Sequence, residues 1–128
     1  MSKAKVYEYI IIGGGASGLM SAILLAQKGK EVLILEKNTQ LGKKITISGN
    51  GKCNITNAQI APHNFHSHNP PFIQEVIYSY KEIKELLKSV GIYTVEGKES
   101  RVFPMSMQAS SVVDILHAQA VRLGVEIA

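Results

Sequence analysis

A single cysteine, Cys53, is all the thiol chemistry this chain has. It excludes an internal disulfide and a zinc site built on four cysteines, and it suits a reducing compartment. Internal repeats, low-complexity tracts and linker-like stretches are also missing, so the 128 residues make one domain rather than an array. There is no dense basic run. The net charge is +4, the lysines are scattered, and Lys43 and Lys44 form an adjacent pair ahead of Lys52. Such a balance attracts phosphates of any kind, so it fits a nucleotide cofactor as well as a polynucleotide and chooses neither. An unbroken apolar run is lacking too. Residues 9–27 carry no charge and follow Lys3 and Lys5, a pattern that a hydropathy window takes for a signal peptide or membrane helix. Yet "IIIGGGASG" puts four glycines inside that stretch, which would break a short signal helix. The expectation is no targeting segment, no membrane association and a cytoplasmic location.

What is present is an ordinary soluble composition, 45% hydrophobic and 19% charged, with apolar side chains enough for one core. "VYEYIII", residues 6–12, is β-branched and aromatic and ends in a continuous apolar run, the pattern of a buried parallel strand. It runs directly into Gly13-x-Gly15-x-x-Gly18. "LMSAILLAQKG" follows as a helix with Leu19, Ala22, Ile23, Leu25 and Ala26 on one face and Gly29 as its stop. "EVLILE", residues 31–36, is a second strand that ends in an acid. The unit is strand, glycine turn, helix, strand, acid.

Each spacing has a physical reason. Gly13 allows a tight turn out of the strand, Gly15 removes the side chain that would hold a pyrophosphate off the backbone, and Gly18 lets helix and strand pack closely. The helix N-terminus at Ala16 and Ser17 offers unpaired N–H groups and a positive dipole end to phosphates. Glu36 lies 18 residues beyond Gly18, at a strand tip, where it can accept hydrogen bonds from an adenosine ribose diol. A carboxylate there repels a 2′-phosphate and disfavours NADP in this first site. FAD and NAD share the fingerprint, so it does not choose between them.

After Glu36 an NAD-binding unit would continue soon into another helix and strand. Here residues 37–71 show little helical periodicity, and a loop that long is usually functional. Inside it lies "SGNGKCNITN", residues 48–57, bare of bulk and holding the single thiol. Gly42, Gly49 and Gly51 permit close backbone approach. It is not a phosphate loop of the Walker type, because Gly51-Lys52 lacks the partner glycine and Cys53 stands where Ser or Thr is required.

The glycine turn at 13–18, "EK" at Glu36 and Lys37, "GKKITISGNGKCNITN", and "RVFP" at residues 101–104 together resemble the BaiN-type flavoproteins. These are also described as aminoacetone-oxidase-like or NAD(P)/FAD-dependent oxidoreductases. The resemblance covers residues 6–127. It implies an α/β protein with a Rossmann-type FAD-binding domain similar to glutathione-reductase and fumarate-reductase flavoproteins. It also implies that residues 48–57 lie along an extended FAD, near the pyrophosphate and the flavin end. The cofactor-binding residues expected are Gly13, Gly15, Ala16, Ser17 and Gly18 in the turn, and Glu36 and Lys37 at the strand tip. Gly42, Lys43, Ser48, Gly49, Asn50, Gly51, Cys53 and Asn54 are expected in the polar stretch. Complete members resemble chains of about three domain lengths, so residues 1–128 are expected to be the N-terminal FAD-binding portion, with an insertion at about 38–104. Alone it is expected to be inactive, with NAD(P)H as an electron donor acting through segments outside it. The partners expected are FAD and a small-molecule substrate, and no nucleic acid. An NAD-binding regulatory module and a tRNA-modifying FAD protein remain as rivals. No acid, base or nucleophile stands out as catalytic.

Further along, one helix is expected at about 72–90, with Ile73, Val76, Ile77, Tyr80, Ile83, Leu86 and Leu87 as a core stripe. "IYTVE" and "SRVF" are strand candidates around Gly97, and a helix capped by Ser106 or Ser110 runs to Gly124, with "VEI" as a third parallel strand. His63, His66 and His68 have no carboxylate or cysteine beside them, so solvated loop positions rather than a metal site are expected. His117 is expected to be partly buried. Cys53 is expected to be a packed, inert thiol. Arg101 has two readings of equal weight: an ion pair with Glu96 or Glu99, or a fixed cation near phosphate or substrate.

Overall fold

The computed structural model describes residues 4–80 and 82–128. In chain order the elements begin with β1 (Tyr9–Ile12), α1 (Ala16–Gln27), β2 (Val32–Leu35), α2 (Lys43–Ile47) and β3 (Thr56–Asn57). They continue with α3 (Pro70–Tyr80), α4 (Ile83–Ser89), β4 (Thr94–Glu96), β5 (Arg101–Pro104), α5 (Ala109–Arg122) and β6 (Glu126–Ile127).

Two sheets organise them. The first is parallel, in the order β1-β2-β6, with Tyr9 opposite Val32, Ile12 opposite Leu35, and Ile34 opposite Ile127. Backbone bonds from Ala128 N to Ile34 O (2.9 Å) and from Glu36 N to Ala128 O (2.8 Å) extend that ladder. The strand-helix-strand expectation therefore stands, and "VEI" forms the third parallel strand. α1 packs on β1 and β2 and against α5. It does so because Leu19, Ala22, Ile23 and Ala26 recur at helical spacing and are all buried. Gly29 ends it at φ +75°, its N–H donating to the Ala26 carbonyl (2.9 Å). The core joins this helix to Val32 and Ile34 of β2, Val112, Leu116 and Ala120 of α5, and Leu87 of α4.

The second sheet is antiparallel, in the order β3-β5-β4. β4 and β5, the two strands expected around Gly97, pair as a hairpin. β3 is an addition: two residues are too few to leave a pattern in the sequence, and pairing with β5 is what makes them a strand. The stretch at 37–71, expected to hold little helix, also contains α2, one turn long.

Five expectations need correction. β1 is not buried on both faces. Ile11 packs on the core, but Ile10 is 56% and Ile12 80% exposed, because α1 lies on the opposite face. The single helix at 72–90 is two. Lys81 and the side chain of Tyr80 lie outside the described residues, and Glu82 takes a turn conformation (φ −95°, ψ 0°) ahead of α4. The core stripe holds only over α4: Ile83 and Leu87 pack inward, whereas Val76 of α3 is exposed. The cap of α5 is Gln108, not a serine. Ser106 Oγ instead accepts from Gln108 N (3.3 Å), and Ser110 lies inside the helix. His117 is exposed, because it sits on the flank of α5, about 100° round the helix from Leu116 and outside the buried stripe of Val112, Leu116 and Ala120.

Candidate functional site

The glycine turn is shaped by what each missing side chain would strike. Gly13 leaves β1 at φ +99°, its N–H donating to Leu35 O (2.8 Å). A Cβ on Gly18 would sit 1.9 Å from the Gly13 carbonyl oxygen, so helix and strand approach too closely for any other residue. Gly15 differs. It is the N-cap of α1 in extended backbone (φ −80°, ψ −169°), and a Cβ there would meet nothing within 4 Å. The chain itself tolerates a side chain at 15, so what glycine secures there is open space outside the turn. The first bond of α1 runs from Leu19 N to Gly15 O (2.9 Å). The N–H groups of Ala16, Ser17 and Gly18 therefore precede the helical ladder and, with the helix dipole, suit an anion.

Glu36 closes the other side. Its Oε2 accepts from Gly14 N (2.7 Å), and its Oε1 accepts from both Asn38 N (2.8 Å) and Asn38 Nδ2 (2.7 Å). These donors, first the Asn38 backbone N–H and then that of Gly14, hold its carboxyl below the usual carboxylate range. Gly42 N donates to Gly14 O (2.8 Å) and ties the following loop to the turn. Gly42 itself sits at φ +62°, where a Cβ would lie 2.7 Å from Val113 Cγ2, so its bareness serves α5.

The polar stretch folds on itself. Gly49, Asn50 and Gly51 are successive left-handed residues, at φ +55°, +53° and +79°. A Cβ on Gly49 would sit 2.5 Å from Asn54 N, while Cys53 N returns to Ser48 O (3.0 Å). Cys53 is 7% exposed, and burial pushes its thiol up against the opposing hydrogen bond with Ser48. Its ionisation is disfavoured, as a packed thiol requires.

A cleft of about 760 Å³ runs over these elements. It is lined by Gly13, Gly15, Ala16, Ser17, Gly18, Glu36, Gly42, Lys43, Ser48, Cys53 and Asn54. Lys37, Gly49, Asn50 and Gly51 do not line it. For the last three the reason is the tight left-handed turn, whose small residues serve the loop's own closure. Asn38, Gln40 and Lys44 line the cleft and were missed. Asn38 comes beside Glu36 because the chain bends just after β2, so that its backbone and side-chain N–H groups turn back onto the Glu36 carboxylate. The cleft also has an apolar wall of Met20, Ile45, Ile55, Ile83, Leu87 and Leu116.

Arg101 pairs with Glu99, both exposed, and does not line the cleft. Of its two readings the structure has the ion pair, and the RVFP motif is β5, the middle strand of the second sheet. His63, His66 and His68 are exposed, and among the described residues no three metal-ligating side chains gather. No described helix is long and apolar enough to cross a membrane.

Known proteins match this arrangement. The model of the HI0933-like protein Rossmann domain family covers residues 7–128. The chain is 38% identical over 121 residues to the 3-dehydro-bile acid delta(4,6)-reductase of Clostridium scindens, covering 91% of this chain and 29% of that protein. It is 34% identical over 122 residues to the ribosomal RNA dihydrouridine synthase of Haemophilus influenzae, covering 94% of this chain and 30% of that one. It thus spans less than a third of the length of these curated relatives. Among solved structures, a 3-ketosteroid-delta4-(5alpha)-dehydrogenase from Rhodococcus jostii RHA1 superposes with a TM-score of 0.71 at 14% identity, over 100% of this chain and 38% of that one. With a parallel sheet, a glycine turn and an acid at the tip of β2, the chain belongs to the HI0933-like family and is its Rossmann-type, FAD-binding domain.

Proposed function

We propose that the cleft over the glycine turn holds the adenosine diphosphate half of FAD, and that the chain serves a flavin-dependent oxidoreductase as its cofactor-binding portion. The observation that carries this is the contrast between Gly15 and Gly18. Gly18 is glycine because the fold demands it, whereas Gly15 faces open space beside three free N–H groups. The Ala16, Ser17 and Gly18 amides take the pyrophosphate, Lys43 and Lys44 add positive charge, and Glu36 takes a ribose hydroxyl. Ser48, Cys53 and Asn54 extend the wall along the cofactor. When bound, the flavin supplies hydride transfer at N5, and these residues bind, orient and shield it. Residues 1–128 then form the N-terminal FAD-binding portion of the protein, with 38–104 as an insertion carrying the antiparallel sheet.

A second reading concerns the substrate. The two relatives carry names pointing to a 3-dehydro-bile acid and to ribosomal RNA. The net charge of +4 is compatible with either. The test is calorimetric titration with FAD, NAD and NADP. FAD binding that Gly15→Val removes supports the site, and equal binding by Gly15→Val overturns it. RNA retention at physiological salt in the flavin-loaded protein would reassign the substrate.

A further inference from the structure

We infer that Asn38 is a positioning residue for Glu36, and that it sets how the adenosine ribose is held: through one hydroxyl, on Glu36 Oε2. The inference rests on the reading of the cleft as the adenosine site. An ionised carboxylate has about four acceptor positions on its two oxygens. Three are filled from within the chain. Asn38 N (2.8 Å) and Asn38 Nδ2 (2.7 Å) converge on Oε1, and Gly14 N (2.7 Å) takes one position on Oε2. One acceptor position is left, and it belongs to Oε2.

The orientation of the Asn38 amide follows from the same chemistry. A carboxylate only accepts, so the amide turns its NH₂ to Glu36 and cannot flip without setting two oxygens face to face. Both side chains line the cleft, so the pair is presented to the ligand as a unit. The Gly14 bond reaches back into the turn that receives the pyrophosphate, which fixes the carboxylate relative to the phosphate site. Without the Asn38 side chain, Oε1 keeps only its bond to the Asn38 backbone. The carboxylate then rotates more freely, and part of the ligand's binding goes into ordering it.

A residue that acts only through Glu36 loses its effect once Glu36 is gone. The experiment is a double-mutant cycle on the whole 128-residue chain, with FAD as the probe and affinity read by amide chemical shifts in a titration. Glu36→Ala is expected to weaken FAD about tenfold or more, as loss of a charge-assisted hydrogen bond does. Asn38→Ala is expected to weaken it severalfold, and the double variant to bind no worse than Glu36→Ala alone. Asn38→Leu, which keeps the bulk and loses the amide, should match Asn38→Ala and guards against a local packing defect. Unchanged affinity in both Asn38 variants, or penalties that multiply in the double variant, overturns the positioning role and leaves the adenosine site standing. Unchanged affinity in Glu36→Ala, or no FAD response in the unsubstituted chain, overturns the site itself.

Discussion

Alanine at Gly15 and alanine at Gly18 should fail in opposite ways, and that opposition separates cofactor from fold. A Cβ on Gly18 lies 1.9 Å from Gly13 O and 3.1 Å from Gly13 C, which are backbone atoms that no rotamer can move. Gly13 is itself held by its bond to Leu35 and by φ +99°, so the strain must go into separating α1 from β1. Overpacking of this kind costs about 1–3 kcal/mol where side chains can yield, and Gly18→Ala is expected at or above the top of that range. Gly15→Ala meets nothing within 4 Å and keeps an extended φ that any residue adopts. Its stability change should stay within about 1 kcal/mol, the gain in chain stiffness offsetting a poorer N-cap. Binding reverses the order. Gly15→Val occupies the space next to the Ala16 and Ser17 amides. If two charge-assisted hydrogen bonds to phosphate are lost, at about 1.5–3 kcal/mol each, the loss is about 3–6 kcal/mol and flavin retention disappears. Urea denaturation measures the first quantity and FAD titration the second. Stability lost at Gly15 but not at Gly18, or full FAD affinity in Gly15→Val, would refute the reasoning.

Other substitutions test the surroundings. Gly49→Ala should destabilise by more than Gly51→Ala, because a Cβ at 49 meets Asn54 N at 2.5 Å whereas at 51 it meets nothing within 4 Å. Gly51→Ala carries only the left-handed penalty of about 1–2 kcal/mol, and paired denaturation curves compare them. Glu36 has a folded pKa below its ordinary 4.5, so its contribution to stability is present above that value and lost as pH falls through the folded pKa. Glu36→Gln should therefore flatten the acid limb of the stability curve in an acid titration. Cys53, 7% exposed with a raised thiol pKa, should resist iodoacetamide at pH 8 in native buffer and react in denaturant, as mass spectrometry would show. Arg101→Ala removes an exposed ion pair with Glu99 and should cost no more than about 1 kcal/mol, with FAD affinity unchanged.

The strand-turn-helix-strand unit was legible because it combines two periodicities with a spacing of glycines that steric contact dictates. The same logic limits what a glycine tells by itself. Glycine marks close approach without saying what approaches: at 15 it faces open space, at 42 Val113, and at 49 Asn54. At residues 49–51 small size also meets the needs of a left-handed turn. Lys37 adjoins Glu36 in sequence, yet Asn38 is the one that lines the cleft, because the bend after β2 folds its amide back onto the Glu36 carboxylate. Strand β3 and helix α2 are too short for periodicity and exist through pairing and packing. The exposed face of α3 carries the same apolar spacing as α4, and spacing alone cannot tell which half meets the core.

The central claim is that FAD meets the N-terminus of α1 and the tip of β2. Amide chemical shifts of the chain during titration with FAD test it residue by residue. Shifts are expected to concentrate at Gly14, Gly15, Ala16, Ser17, Gly18, Glu36 and Asn38, with smaller ones at Ser48, Cys53 and Asn54, and none at His63, His66, His68 or Arg101. Shifts spread over the exposed loop histidines and Arg101, with the glycine turn silent, would contradict it.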